Sequence, residues 1–171
     1  RITVDTITKC YPATFNFSAT TSQTSVNFLW DFGDPTSGIL NTSIQPVDTH
    51  TFRGAGDYTV KLVVYDIYGC PDSITKVIHL WGPTAGFSVN NITGCIPLPV
   101  NFTDTSDVFP ANANIVSYFW DFNYQSNDTV TRFIPTTSHT YSATGFYDVY
   151  LLVTDVNGCT DTTLRNSYIN A

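Results

Sequence analysis

The sequence predicts an all-β chain of two antiparallel sandwiches in series. Three observations carry that prediction: a residue stock suited to strands, apolar alternation with a period of two, and a pattern written twice. Among 171 residues there are 27 Thr, 12 Phe and 10 Tyr, with no Met and no Glu. β-Branched and aromatic side chains fit a pleated, half-buried surface, and the strongest helix formers are scarce. With 42% apolar and 15% aromatic residues the chain can bury a core, so a charged fraction of only 12% does not signal disorder. The polar surface must then consist of hydroxyl and amide groups.

In the first half, short runs bounded by turn residues read as strands at Thr14 to Ala19, Asn27 to Phe32, His50 to Phe52, Tyr58 to Asp66 and Ser73 to Leu80. The second half gives Val100 to Asp104, Ile115 to Phe122, Ser138 to Tyr141, Tyr147 to Asp155 and Thr162 to Ile169. Alternation is clearest along Tyr58-Thr59-Val60-Lys61-Leu62-Val63-Val64. Several strands in about 85 residues suggest a small antiparallel sandwich, because stacking two sheets is how such a chain closes a core.

The halves align with each other. Cys10 matches Cys95, Trp30-Asp31-Phe32 matches Trp120-Asp121-Phe122, and His50-Thr51-Phe52 matches His139-Thr140-Tyr141. Gly56-Asp57-Tyr58-Thr59-Val60 then matches Gly145-Phe146-Tyr147-Asp148-Val149, and Gly69-Cys70 matches Gly158-Cys159. Trp81-Gly82-Pro83-Thr84 is the natural boundary, giving domains 1–81 and 82–171. The short, Pro-containing linker predicts two sandwiches end to end with restricted freedom, and Trp81 is expected to pack at their junction.

Cys10 and Cys70 are 60 residues apart and Cys95 and Cys159 are 64 apart, each pair flanking one sandwich. The spacing suits two intradomain disulfides, Cys10 to Cys70 and Cys95 to Cys159. On the chain-entropy model each stabilises its small domain by roughly 4 kcal/mol. Four free thiols or a zinc site are the alternatives, and zinc ligands normally come in close pairs, which are absent here. Disulfides imply an oxidising, extracytoplasmic compartment.

The series Trp30-Asp31-Phe32-Gly33-Asp34, His50-Thr51-Phe52, Gly56-Asp57-Tyr58-Thr59-Val60 and Val64-Tyr65-Asp66 resembles the PKD (polycystic kidney disease) domain family. So does its second copy, from Trp120-Asp121-Phe122 to Val153-Thr154-Asp155-Val156-Asn157-Gly158-Cys159. The resemblance covers nearly the whole chain and implies immunoglobulin-like sandwiches used outside the cell for adhesion, spacing or substrate contact, seldom for catalysis. The second copy departs at Asn123-Tyr124, where the family usually has Gly-Asp, so the turn after its Trp strand must be built differently. The closing Asn157-Gly158-Cys159-Thr160-Asp161 is similar to cysteine-bearing copies arrayed in large adhesins of gliding bacteria, exported by the type IX secretion system.

Alternation places Trp30 with Phe32, and Trp120 with Phe122, on core faces; Tyr58 and Tyr147 are assigned to the same cores. His50 and His139 recur at matching places. A catalytic histidine need occur only once, so their recurrence favours a structural hydrogen bond. Some PKD domains bind calcium, which makes Asp31, Asp34, Asp104 and Asp107 the metal candidates. No EF-hand-like series occurs, however, and Asp in a turn commonly bonds its own backbone. No cofactor is expected. Asn16, Asn41, Asn91, Asn101 and Asn127 begin N-glycosylation patterns, which chance supplies in a chain this rich in Asn, Ser and Thr.

A formal charge of −7, without any basic run, argues against a nucleic-acid partner. No apolar stretch approaches the ~18 residues of a membrane span, so direct insertion is not expected. The initial Arg and the lack of Met fit a processed chain or a fragment. No nucleophile elbow, zinc-protease motif or phosphate loop is present, and without Glu an enzyme is not expected. The reading is a non-catalytic extracellular stalk and adhesion segment of a large cell-surface repeat protein. Its expected partners are neighbouring repeats of the same chain and an extracellular surface, polysaccharide or protein ligand. The rivals are an accessory carbohydrate- or protein-binding module of a secreted hydrolase, and a subunit of an extracellular filament or virion decoration.

Overall fold

The structure is a computed structural model that describes residues 1–22, 27–126 and 128–171. It divides into two compact units, Arg1–Trp81 and Gly82–Ala171. The first holds β1 (Ile2–Val4), β2 (Thr8–Cys10), β3 (Ala13–Ala19), β4 (Asn27–Asp31), β5 (Thr42–Ser43), β6 (Val47–Phe52) and β7 (Gly56–Tyr65), with most of β8 (Pro71–Thr84). The second holds β9 (Phe87–Val89), β10 (Leu98–Asp104), β11 (Asp107–Phe109), β12 (Ile115–Asp121), β13 (Thr129–Arg132), β14 (Thr136–Tyr141), β15 (Phe146–Asp155) and β16 (Thr160–Asn170). No helix among the described residues is long and apolar enough to cross a membrane.

In the first unit, sheet β1-β3-β6 faces sheet β5-β4-β7-β8, with β2 added in parallel to β8. The apolar alternation explains why. Phe15 and Phe17 on β3, Trp30 on β4, Phe52 on β6, Val60 and Leu62 on β7, and Ile78 and Leu80 on β8 are all buried and form one cluster with Phe32. One-residue slips would turn these faces outward, so the pattern fixes the register. The second unit repeats the plan with β9-β10-β14 against β13-β12-β15-β16, around Val100, Phe102, Trp120, Phe122, Tyr141, Val149, Leu151 and Val153. Here β11 pairs with Gly82 to Thr84 at the end of β8, and the β2 pairing shrinks to a single parallel bridge between Thr93 and Asn170.

The long strands fall where the alternation puts them, with ends that differ by a few residues. The short ones, β1, β2, β5, β9, β11 and β13, have two to four residues each, too few for a periodic signal. A 3-10 segment, Pro35–Asn41, lies between β4 and β5 and is kinked at Gly38, whose φ is +61°.

The cysteines correct the sequence reading. Cys70 and Cys95 are exposed free thiols, while Cys10 and Cys159 are disulfide-bonded. The expected bridges within each sandwich are therefore not formed, and the sheet geometry shows why. Cys10 sits in register with Trp81, whereas Cys70 precedes Pro71 at the other end of β8. That separation is roughly 30 Å or more of extended strand, against the ~7 Å between Cα atoms that a disulfide spans. Likewise Cys159 precedes Thr160 at the start of β16, and Cys95 follows Gly94, whose amide donates to the carbonyl of Asn170 at its end. Flanking a domain in sequence does not imply proximity, because the first and last cysteines of each copy mark opposite poles.

Candidate functional site

The densest polar cluster of the first unit follows the Trp strand. Asp31 leaves β4 with its Oδ1 accepting the Gly33 amide (2.9 Å) and the Asn41 side-chain amide (2.9 Å). Gly33 has a φ of +72°, and a Cβ there would stand 2.6 Å from the Thr59 carbonyl oxygen, so the turn requires glycine on both counts. The Asp34 amide donates to Asn41 Oδ1 (2.6 Å), which locks the 3-10 segment onto the strand it leaves.

Asp34 itself is buried beside His50, also buried, with Oδ2 3.1 Å from the imidazole Nε2. The Thr36 hydroxyl donates to its Oδ1 (2.5 Å). Burial alone raises the Asp34 carboxyl, but the Thr36 hydroxyl and the His50 ring more than offset it and hold the group below its ordinary value. His50 stacks on Phe32 with ring centres 4.5 Å apart and planes at 16°. An open cavity of about 470 Å³ adjoins this cluster, lined by Asp34, Thr36, Leu40, Asp48, His50 and Arg53 among others. Ile39, Leu40, Ile44 and Val47 are exposed along the same stretch of chain.

The second unit reproduces the stack but not the turn. His139 lies on Phe122 at 4.6 Å and 15°, and its Nε2 is 3.3 Å from Asp128 Oδ2. Burial lowers the His139 ring below its ordinary value against the opposing pull of Asp128. Where the first copy uses Gly33, the second turns later. Asp121, buried here, accepts the Asn123 amide on Oδ1 and the Gln125 amide on Oδ2, and Gln125 takes a φ of +71°. This is the different construction that Asn123-Tyr124 led one to expect.

Of the calcium candidates, Asp31 and Asp34 are committed to the hydrogen bonds above. Asp104 accepts the Ser106 hydroxyl (2.5 Å), and Asp107 lies on β11 opposite Thr84. Burial raises the Asp104 carboxyl against the lowering effect of the Ser106 bonds. Asp34 meets its partners in the first unit and Asp104 and Asp107 theirs in the second. Among the described residues no three His, Cys, Asp or Glu side chains gather as a metal site. Trp30, Phe32, Trp120 and Phe122 are buried. Tyr58 and Tyr147 are only partly buried against the cores; their hydroxyls donate to the carbonyls of Gly54 (3.0 Å) and Ala143 (2.8 Å) and close tyrosine corners. Asn16, Asn91 and Asn101 are exposed and Asn41 is half-buried; Asn127 lies outside the described residues.

Two features escaped the sequence reading although a signal for one was present. Asp66 Oδ1 accepts the amides of Tyr68 (2.9 Å) and Cys70 (2.8 Å), and Asp155 Oδ1 accepts those of Asn157 (2.8 Å) and Cys159 (2.8 Å). Gly69 and Gly158 share a φ of +81°. The recurrent Asp-x-x-Gly-Cys is thus one turn made twice, and it fixes where the second cysteine of each copy stands. The other feature, the pairing of His139 with Asp128, comes from the loop between β12 and β13. The matching segment between β4 and β5 supplies Asp34 to His50, but from near its start, whereas Asp128 stands at the loop's end, so aligning the copies does not reveal it.

An Asp, a His and a Thr in contact invite comparison with a catalytic relay. The Thr36 hydroxyl, however, donates to Asp34 and not to the imidazole, so it is not activated by that base. The cluster pins a loop to a sheet.

A sequence model of a family described as "PKD domain" matches residues 2–80 and 83–169. No curated protein matches. Similar solved structures include the PKD1 domain from Vibrio cholerae metalloprotease PrtV, at 31% identity over 52% of this chain and 98% of that one, with a TM-score of 0.41. The PKD1 domain of Vibrio anguillarum Epp is 29% identical over 52% of this chain and 94% of that one, with a TM-score of 0.41. Fibronectin(III)-like modules of Clostridium thermocellum CbhA are 14% identical over 99% of this chain and 94% of that one, with a TM-score of 0.39.

Proposed function

Because the chain belongs to the PKD domain family twice over, as two immunoglobulin-like sandwiches in tandem, we propose that it is a non-catalytic extracellular spacer and adhesion segment of a larger cell-surface repeat protein. The observation that carries this reading is duplication. The Trp30-Phe32-His50 stack recurs as Trp120-Phe122-His139, and the Asp-Gly-Cys turn and the tyrosine corner recur with it. What is present in both copies serves the shape of each. A module whose most elaborate polar groups all serve its own shape is suited to holding something else at a distance. The disulfide-bonded state of Cys10 and Cys159 supports an oxidising compartment. Exposed Ile39, Leu40, Ile44 and Val47 offer an apolar stretch for contact with a protein surface. Within the family, the Asn157-Gly158-Cys159-Thr160-Asp161 ending favours the cysteine-bearing copies of adhesins from gliding bacteria, exported by the type IX secretion system.

Force spectroscopy on the chain in dithiothreitol tests the spacer. Two unfolding events of nearly equal length increment are expected, one per sandwich. A single event, or unfolding at forces too small to resolve, overturns the mechanical role. Saturable binding of a soluble polysaccharide would instead favour the accessory-module reading.

A further inference from the structure

Each copy carries one cysteine of each of two kinds. Cys10 and Cys95 precede the cis bonds Tyr11-Pro12 and Ile96-Pro97, whereas Cys70 and Cys159 close the Asp-x-x-Gly-Cys turns. In the first unit, Cys10 lies in register with Trp81, where the chain leaves the sandwich. Cys70 is at the other pole, lining with Arg1 and Thr20 a cavity of about 610 Å³. In the second unit, Cys159 stands two residues before Asp161, whose Oδ2 accepts the Ala85 amide (2.7 Å) where the chain comes in. Cys95 is at the other pole, beside Gly94 and its bond to Asn170. Both copies therefore follow one rule: the turn cysteine marks the pole where the chain comes in, and the other cysteine marks the pole where it leaves.

A second observation is independent of position. One cysteine of each kind is oxidised, Cys10 in the first copy and Cys159 in the second, while the counterpart of each in the other copy is an exposed free thiol. Each kind thus has a demonstrated capacity to be half of a disulfide. The intradomain partner is out of reach for both. The geometry points to Cys95 and Cys70 as the two halves of a copy-to-copy disulfide, in which the leaving-pole cysteine of one PKD copy joins the turn cysteine of the copy that follows. This inference rests on the reading of the modules as repeats in series. It adds that the series is cross-linked in one direction, and that two molecules of this chain set head to tail present the same pair of thiols.

Forming the bond removes two protons and two electrons. A low-molecular-weight disulfide such as oxidised glutathione accepts them: one protein thiolate attacks it and releases one reduced glutathione, then the second protein thiolate displaces the other. The test is to incubate the whole chain with oxidised glutathione and to separate the products on a non-reducing gel, with peptide mapping by mass spectrometry. The expected result is a ladder of multimers that dithiothreitol collapses, with the mixed Cys70–Cys95 peptide in excess of the two-to-one ratio that random pairing gives over either homodimeric peptide. Cys70→Ser and Cys95→Ser, both at exposed positions, should each remain monomeric alone and form dimers, and nothing longer, when mixed. Glutathionylated monomers without a ladder, homodimeric peptides at or above the random share, or a Cys70–Cys95 bridge closed within one molecule would each overturn the proposal. None of these outcomes changes the unfolding events read in reductant, so failure here is distinguishable from failure of the spacer.

Discussion

The two indoles at equivalent places differ in one hydrogen bond. Trp30 Nε1 donates to the Gln45 carbonyl (2.8 Å), whereas Trp120 Nε1 is buried with no partner among the described residues. An unpaired buried donor costs roughly 1–3 kcal/mol, so removing it offsets part of the loss of ring volume. Trp120→Phe should therefore destabilise its sandwich by about 1–2 kcal/mol less than Trp30→Phe destabilises the first, as read by calorimetry of each variant. The histidines diverge in a similar way. Because burial lowers the His139 ring below its ordinary 6.5, the unfolded chain takes up the proton first as pH falls. The stabilisation is thus complete above pH 6.5 and is lost as the pH drops through the lower folded value. The second sandwich should lose stability as the pH falls below 6.5, and His139→Phe, which keeps the stack on Phe122, should flatten that slope. The lowered Asp34 carboxyl has the same sign in a more acid window: its contribution is present above 3.8 and is lost below it. Should NMR give His139 an imidazole titration at or above the ordinary value, the pH argument fails.

At the scale of elements, the Asp-x-x-Gly-Cys turns join the longest paired strands, β7 to β8 and β15 to β16. Gly158 holds a φ of +81° with open space around its missing Cβ, so Gly158→Ala is a test of backbone strain alone, expected to cost about 1 kcal/mol. Asp155→Ala removes the acceptor of two amides and should cost more, roughly 2–3 kcal/mol. Equal losses in thermal unfolding would mean that the carboxylate does not organise the turn. These turns also show what was legible in the sequence. Strands β3, β7, β10 and β15 announced themselves because one face of each is buried, and burial imprints a period of two. Trp30 and Trp120 were assigned to the core on the same ground. Strands β5 and β13 gave no such imprint, because neither buries a residue and two or four residues are too few to show a period. The cysteine pairing is not legible for a different reason: separation along the chain does not reveal that a single strand carries its two ends to opposite poles.

Across the whole molecule, charge is sparse, and what there is stays local. Between Lys or Arg and Asp, the described residues show the exposed Lys9–Asp5 pair (2.8 Å), and exposed pairs of this kind contribute ~0–1 kcal/mol. Arg165 works differently, lying over the rings of Phe87 (4.4 Å) and Tyr168 (4.7 Å) and donating to the Phe87 carbonyl (2.6 Å), so it fastens β9 to β16 through aromatic faces and a backbone oxygen. Each sandwich is thus held by buried aromatic and aliphatic surface and by carboxylates that cap backbone amides, neither of which depends on long-range charge. Salt screens exposed charges over about 8 Å at physiological ionic strength and leaves buried contacts largely untouched. A spacer stabilised in this way should keep its strength in fresh and saline surroundings alike. The thermal midpoints should therefore move by no more than a few degrees between about 0.05 and 0.5 M sodium chloride, with a small upward drift as the net charge of −7 is screened. Scanning calorimetry across that series decides the matter: a steep fall in either midpoint with added salt would mean that ion pairs carry the fold, contrary to the hydroxyl and amide surface from which the stalk reading began.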